Sequence, residues 1–97
     1  MLHAVNKSPL ESNALRAALR IAAPGDPLLL LEDGVRAARP GARSEALMAD
    51  ALAGHPVYAI EPDLRARAIG RVIEGIRLIG YDGFVELVEQ HHVVTWV

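Results

Sequence analysis

The sequence predicts an α/β fold in which a parallel sheet is covered by helices on both faces. Five short apolar runs alternate with stretches of helical periodicity, a pattern typical of β-α-β units. The second run is apolar at every position, which indicates a strand buried on both sides. The five runs are Leu2–Val5, Leu28–Leu31, Val57–Ile60, Ile76–Ile79 and Val93–Val97.

The first helix is predicted to begin at Ser8-Pro9-Leu10-Glu11, which matches a capping box. In that arrangement Ser8 caps the helix, Pro9 takes the first helical position and Glu11 reaches back to the cap. Apolar residues at helical spacing then form one buried stripe. The stripe consists of Leu15, Ala18, Leu19 and Ala22.

Further helices are predicted after the second and later runs. They lie at Val35–Ala38, from Ser44 to about Ala53, from Glu61 to about Ile69, and from Asp82 onward. Ser44 and Asp82 have side chains that cap helix N-termini. The inward stripe of the last helix consists of Phe84, Leu87 and Val88.

Composition bounds the class of protein. A chain of 97 residues, 52% of them hydrophobic, suits a single domain spanning 1–97 with one real core. A net charge of −2 makes direct DNA binding improbable.

The chain has no cysteine, which excludes disulfides, thiolate metal sites and a cysteine persulfide on this chain. The start lacks a signal-peptide pattern, and Leu28–Leu31 is far shorter than the roughly 20 residues of a membrane span, so we expect a cytoplasmic protein.

No motif for a cofactor or a metal is present. The turn after the first run, residues 6–10, has no glycine to approach a phosphate, and there is no P-loop. His3 is interpreted as a hydrogen-bonded interior histidine, with catalysis as the alternative. His55 is expected to be solvated in a turn. His91 and His92 end the last helix, where a polar group suits the helix dipole and adjacent residues diverge too far to share a metal.

Two acidic residues, Asp33 and Asp82, follow strands and are candidates for paired acid–base chemistry. Each also has a structural explanation, because Asp33-Gly34 is a turn and Asp82 is a helix cap. The structural explanation is favoured.

Two features indicate contacts with other molecules. Arg65, Arg67 and Arg71 form a modest basic cluster, which is interpreted as a solvated face, with contact to RNA or an acidic partner as the alternative. Trp96, the only tryptophan, lies in a terminal strand that would fray unless it were docked. We expect it to dock in its own sheet and to contribute to an interface.

Four segments, in order, resemble the DsrH/TusB family. Residues 1–9 are similar to its Met-Leu-His-Thr-x-x-x-Ser-Pro opening, with Ala4 in place of threonine. Residues 28–35, 57–67 and 81–85 and the near-terminal Trp96 also fit, so the resemblance runs along the whole chain.

The resemblance implies a three-layer α/β/α fold with a five-stranded parallel sheet of order 4-3-2-1-5. It also implies assembly with DsrE/TusD-like and DsrF/TusC-like subunits in a heterohexamer that relays persulfide sulfur. One branch of the family serves 2-thiolation of the wobble uridine in tRNA, and another serves dissimilatory sulfur oxidation. Some members have a cysteine in the first helix, which aligns with Ala18 here.

These observations predict a non-sulfur-carrying, non-catalytic subunit of a sulfurtransferase complex, with tRNA thiolation favoured over sulfur oxidation. A small-molecule-binding α/β domain using Asp33, Asp82 and His3 stays open as an alternative, as does self-association of the chain alone. No catalytic, cofactor-binding or metal-binding residue is expected. The candidate partner interface consists of Glu32, Asp33, Tyr81, Asp82 and Trp96.

Overall fold

The structure, a computed structural model, describes all residues 1–97 and contains one five-stranded sheet. The strands are β1 (Leu2–Val5), β2 (Leu28–Leu30), β3 (Val57–Ile60), β4 (Arg77–Ile79) and β5 (Val93–Trp96). Every neighbouring pair is parallel and the order is β4-β3-β2-β1-β5, which confirms the predicted sheet and its order. Three of the strands, β2, β4 and β5, are each one residue shorter than predicted.

Helices cover both faces of this sheet, as the three-layer prediction requires. They are α1 (Ala14–Ile21), a 3₁₀ helix (Glu32–Ala38), α2 (Glu45–Gly54), α3 (Glu61–Ala66) and α4 (Tyr81–Gln90). The first four pack on one face, and α4 covers the other. None of the helices combines the length and apolar character needed to cross a bilayer.

The two faces of β2 explain its unbroken run of leucines. Leu28 and Leu30 belong to the larger core, together with residues of α1, the 3₁₀ helix, α2 and α3. Leu29 belongs to a second, smaller core with Leu2, Ile60 and Leu87 of α4. All three β2 leucines are fully buried, so a polar residue at any of these positions would lose its hydration.

The predicted start of the first helix is wrong. The helix begins at Ala14, and residues 9–11 form a turn instead. The amides of Glu11 and Ser12 both donate to the Ser8 carbonyl, at 3.0 and 3.1 Å, and the Leu10 amide donates to the Ser8 hydroxyl at 3.2 Å. Ser8 therefore closes a local turn that competes with a helix, a known alternative for serine side chains.

Other helix ends also differ from the prediction. Gly80 precedes α4, so Asp82 lies inside the first turn, where a carboxylate favours the positive end of the dipole, and does not cap the helix. Ser44 occupies the predicted position before α2, but its hydroxyl makes no capping hydrogen bond. Helix α3 ends at Ala66, well before Ile69, because Ala68 turns the chain with a φ of 55°.

The last strand is docked in the chain's own sheet, as expected. Strand β5 pairs in parallel with β1 along its whole length, and Trp96 lies beside Val5. The Trp96 side chain packs against the larger core, which ties down a strand that would otherwise fray.

Candidate partner interface

A tight turn follows β2, lies against the carboxyl end of β1 and positions Glu32 and Asp33. The Leu31 amide donates to the Val5 carbonyl at 3.1 Å, and the Gly34 amide donates back to the Leu31 carbonyl at 2.8 Å. Gly34 lies so close to Val5 that an added Cβ would fall 1.9 Å from the Val5 carbonyl oxygen. Only glycine fits at this point of the turn.

Glu32 has an unusual backbone conformation at the strand end. Its φ is 49°, in the left-handed region that disfavours residues with a Cβ. Its amide donates to the Asp63 carboxylate in α3 at 2.7 Å. A charge-assisted hydrogen bond of this length helps to hold the strained residue in place. The carboxyl ends of β2 and β3 are therefore connected.

A second link joins the same two segments through Asp33. The Arg67 Nε donates to the Asp33 carboxylate at 2.8 Å, and the Arg36 Nε lies 3.4 Å from the same oxygen. Arg67 also donates to the Asp63 carbonyl at 3.2 Å. The hydrogen bond from Arg67, followed by its charge and the contact with Arg36, lowers the pKa of Asp33 below its ordinary value. Asp33 is therefore an ionised anchor, which does not suit it for proton transfer near neutral pH.

The remaining predicted interface residues lie elsewhere along the same edge. Tyr81 and Asp82 follow β4, and β3 separates them from β2, so roughly 10 Å lies between the two strand axes. Trp96 is two strands away from β2 in the other direction. None of the five residues lines a cavity, so the structure places them on one edge and does not gather them into a pocket.

The buried His3 forms a hydrogen-bonded pair with the half-buried Trp96. The Trp96 Nε1 donates to the His3 Nδ1 at 3.1 Å, and the two rings stack with centroids 6.1 Å apart. Because an indole N–H can only donate, Nδ1 must be the unprotonated nitrogen. The Nε2 therefore carries the proton and donates to the Asp26 carboxylate at 2.9 Å. Both ring nitrogens are used, so the prediction of an interior, hydrogen-bonded histidine is confirmed.

The Asp26 carboxylate accepts three hydrogen bonds at this end of the molecule. It accepts from His3, from the Ala23 amide at 3.0 Å and from the terminal amine of Met1 at 3.3 Å. These contacts, the one from His3 foremost, lower the pKa of Asp26 to about 2. His55 is half-buried, contrary to the expectation of a solvated ring, because its Nδ1 donates to the Asp26 carbonyl at 2.9 Å.

The three residues of the small-molecule hypothesis are not brought together. Asp33 is engaged by arginines at the strand ends, Asp82 lies beyond β3, and both nitrogens of His3 are already bonded. No group of three or more His, Asp or Glu side chains is close enough to hold a metal ion.

Sequence reasoning missed part of the apolar surface around Tyr81. Helix α4 carries a second apolar stripe at i, i+4 and i+7, made of Tyr81, Val85 and Val88, which are 62%, 50% and 40% exposed. Val88 was expected to face inward with Leu87. The signal was present in the sequence, because α4 has too many apolar positions for one buried face. We call these three residues the α4 stripe.

The predicted arginine cluster is divided in the structure. Arg65 pairs with Glu61 at 2.7 Å on the surface of α3, an interaction of the exposed i, i+4 type. Arg67 and Arg71 instead line a cleft together with Arg39. The three residues grouped by sequence therefore take part in different contacts.

Comparison with known proteins connects this architecture to a family. The model of the DsrH family, described as "DsrH like protein", matches residues 7–94. The chain is 42% identical over 92 residues to Protein TusB of Serratia proteamaculans, and 42% identical over 94 residues to Protein TusB of Escherichia coli K12, covering 94% of each chain in both cases.

Two solved structures share the fold. Protein MTH1491 of Methanobacterium thermoautotrophicum, a protein of unknown function, superposes with a TM-score of 0.71 at 15% identity, over 97% of this chain and 96% of the other. Protein Tm0979 of Thermotoga maritima superposes with a TM-score of 0.59 at 26% identity, over 94% of each chain. Both likenesses concern the five-stranded α/β/α architecture.

Proposed function

The chain belongs to the DsrH family, and from this premise we propose that it is a non-sulfur-carrying subunit of a sulfur-relay complex. The complex would support 2-thiolation of the wobble uridine in tRNA, the role that the resemblance to the TusB branch implies. Sequence identity of 42% to TusB proteins along nearly the whole chain favours this branch over sulfur oxidation.

The observation that carries the proposal is the lack of any thiol in the 97 residues. A persulfide needs a cysteine sulfur as its attachment point, and no other side chain replaces it. Ala18, the position that aligns with the cysteine of some relatives, is 0% exposed in the core under α1. A sulfur atom at this buried position would be shielded from a donor, which supports a subunit that does not carry sulfur.

The proposed partners are DsrE/TusD-like and DsrF/TusC-like subunits in a heterohexamer. Two surfaces support docking of a protein. The α4 stripe exposes adjacent large apolar side chains, which is typical of interaction sites. The strand-end residues Glu32 and Asp33 are held rigidly by Asp63 and Arg67, so binding them would cost little ordering entropy. We propose that both surfaces, with Asp82 and Trp96 at their margins, meet the partner subunits.

The first experiment tests assembly. The chain is co-expressed with the DsrE/TusD-like and DsrF/TusC-like subunits of its own organism, and the complex is isolated through a tag on a partner. Val85→Asp is expected to abolish co-purification, because it places a charge in the middle of the α4 stripe. Ile21→Asp on α1, which is 67% exposed on the other side of the sheet, is the matched control and should leave the yield unchanged.

The second experiment tests the chemistry. After incubation with a persulfide donor, intact-mass measurement should detect added sulfur on the partner subunits and none on this chain. Covalent sulfur on the isolated chain would contradict the proposal. The tRNA branch is tested in a strain that lacks its own TusB, where the chain and its partners should restore 2-thiouridine in digested tRNA.

A further inference from the structure

Two adjacent clefts bring together half of the chain's basic residues. The first, about 480 Å³ in volume, is lined by Arg39, Arg67 and Arg71. The second, about 260 Å³, is lined by Arg36, Arg39 and Arg43. Arg39 is common to both, so the clefts form one continuous surface with five of the ten Lys and Arg residues of the chain. We call it the arginine surface.

The walls of the first cleft are fixed relative to each other. One wall follows the 3₁₀ helix and the other follows α3, and the Ile73 amide donates to the Ala38 carbonyl at 2.8 Å to join them. Ala68, in the second wall, has the positive φ of 55° that bends the chain around the cleft. A preformed concave site of this kind loses little entropy when it binds a ligand.

The arginines are available for an external anion. Arg67 is oriented by Asp33 and by the Asp63 carbonyl, which use only two of the five N–H groups of a guanidinium. Arg39 and Arg71 are exposed and make no ion pair with any carboxylate. No acidic residue lines either cleft. The local charge is therefore positive although the whole chain carries −2, because Asp33 is the one carboxylate that pairs with any of the five arginines.

The chemistry of the lining distinguishes between classes of ligand. All five basic residues are arginines, whose planar forks bind phosphate oxygens in pairs. No aromatic residue lines the clefts, so there is no platform on which an unpaired base would stack. The first cleft has only two hydrophobic lining residues, whereas a protein interface has an apolar centre. Protein surfaces that bind nucleic acids are more polar than protein–protein interfaces and carry much more positive charge.

We propose that the arginine surface binds the phosphodiester backbone of helical RNA. This inference rests on the proposed function for the choice of RNA over other polyphosphates. The placement is compatible with assembly, because the 3₁₀ helix and α3 lie on the opposite face of the sheet from the α4 stripe. A partner docked on the α4 stripe leaves the arginine surface open. A partner docked on Glu32 and Asp33 borders this surface, because Asp33 contacts Arg36 and Arg67. The backbone contact for the RNA that receives sulfur therefore falls to Arg39, Arg43 and Arg71.

The test uses the co-purified complex and a fluorescent, unmodified tRNA transcript, with binding measured by anisotropy over a range of salt concentrations. The double variant Arg39→Gln/Arg71→Gln is expected to weaken binding at least roughly tenfold and to lower the salt-dependence slope by about two, one for each lost phosphate contact. The control Arg16→Gln/Arg20→Gln removes the same charge from exposed positions on α1 and should have a much smaller effect.

Three results would overturn the inference. They are equal weakening by both double variants, a failure of the wild-type complex to bind the transcript at low salt, and loss of co-purification in the cleft variant, which would identify a protein interface. Inorganic phosphate could also displace the RNA at a far lower ionic strength than sodium chloride needs to displace it. That result would instead identify the cleft as a site for a small phosphate compound. If the complex assembles but does not bind the transcript, only this inference is refuted. If the complex does not assemble, the proposed function is refuted.

Discussion

The close contact at Gly34 predicts the effect of adding a single methyl group. In Gly34→Ala, the new Cβ would lie 1.9 Å from the Val5 carbonyl oxygen and 2.8 Å from the carbonyl carbon, both backbone atoms. Relief requires the strand end to move by more than 1 Å, because real Cβ contacts are not shorter than 3.0 Å. Alanine is otherwise acceptable, since Gly34 lies in the 3₁₀ helix at a negative φ.

The expected loss of stability has two parts. Overpacking of a buried site costs about 1–3 kcal/mol. Displacement of the Val5 carbonyl also weakens the 3.1 Å hydrogen bond from Leu31, which contributes about 1 kcal/mol. The free energy of unfolding should therefore fall by about 2–4 kcal/mol, a large share of the 5–15 kcal/mol of an ordinary domain. The midpoint of thermal unfolding should fall by roughly 8 °C or more.

The measurement is equilibrium urea unfolding, with circular dichroism as the signal. Gly54→Ala is the control, because an added Cβ at this helical position meets no atom within 4 Å. It should leave stability unchanged or raise it by up to about 1 kcal/mol through helix propensity. If the free energy of unfolding of Gly34→Ala lies within about 0.5 kcal/mol of the wild-type value, Gly34 is not in such close contact with the Val5 carbonyl. In that case this contact does not hold Glu32 and Asp33 rigidly in place.

Two further predictions concern the other end of the molecule. Because the pKa of Asp26 falls from 3.8 to about 2 on folding, its contribution is fully present above pH 3.8 and is lost as the pH falls through about 2. Urea midpoints measured over that window should drop less steeply in Asp26→Asn than in the wild type, and identical slopes would contradict the assignment. Trp96→Phe keeps an aromatic ring but removes the donor to His3 Nδ1, leaving a buried acceptor unpaired. Its free energy of unfolding should fall by about 1–3 kcal/mol, and a loss no larger than in Tyr81→Phe, at an exposed position, would contradict the pairing.

The strands could be predicted because the apolar pattern of each strand reflects which of its own faces are buried. Val57–Ile60 matches residue for residue, and the all-leucine β2 is buried on both sides as its composition requires. Helix starts were harder to predict. Ser8 satisfies either a helix or a turn with the same hydroxyl, and the choice depended on packing that local pattern does not encode.

The candidate site divides in the same way. The acidic residues were found from their positions directly after strands, and Trp96 was found as the only tryptophan, inside the terminal strand. In the structure, the Trp96 Nε1 is already hydrogen-bonded to His3. The α4 stripe was only partly found, since two apolar stripes on one short helix are difficult to separate by periodicity alone.

The sequence by itself determined which segments become strands and that these 97 residues contain no cysteine thiol. The strand order followed from family resemblance, because periodicity does not specify which strands become neighbours. Only the tertiary structure brought arginines from residues 36–43 and 67–71 into one surface and left the α4 stripe exposed on the opposite side. The physical reason is that hydrophobic pattern is a local property, whereas charge convergence depends on the path of the whole chain through space.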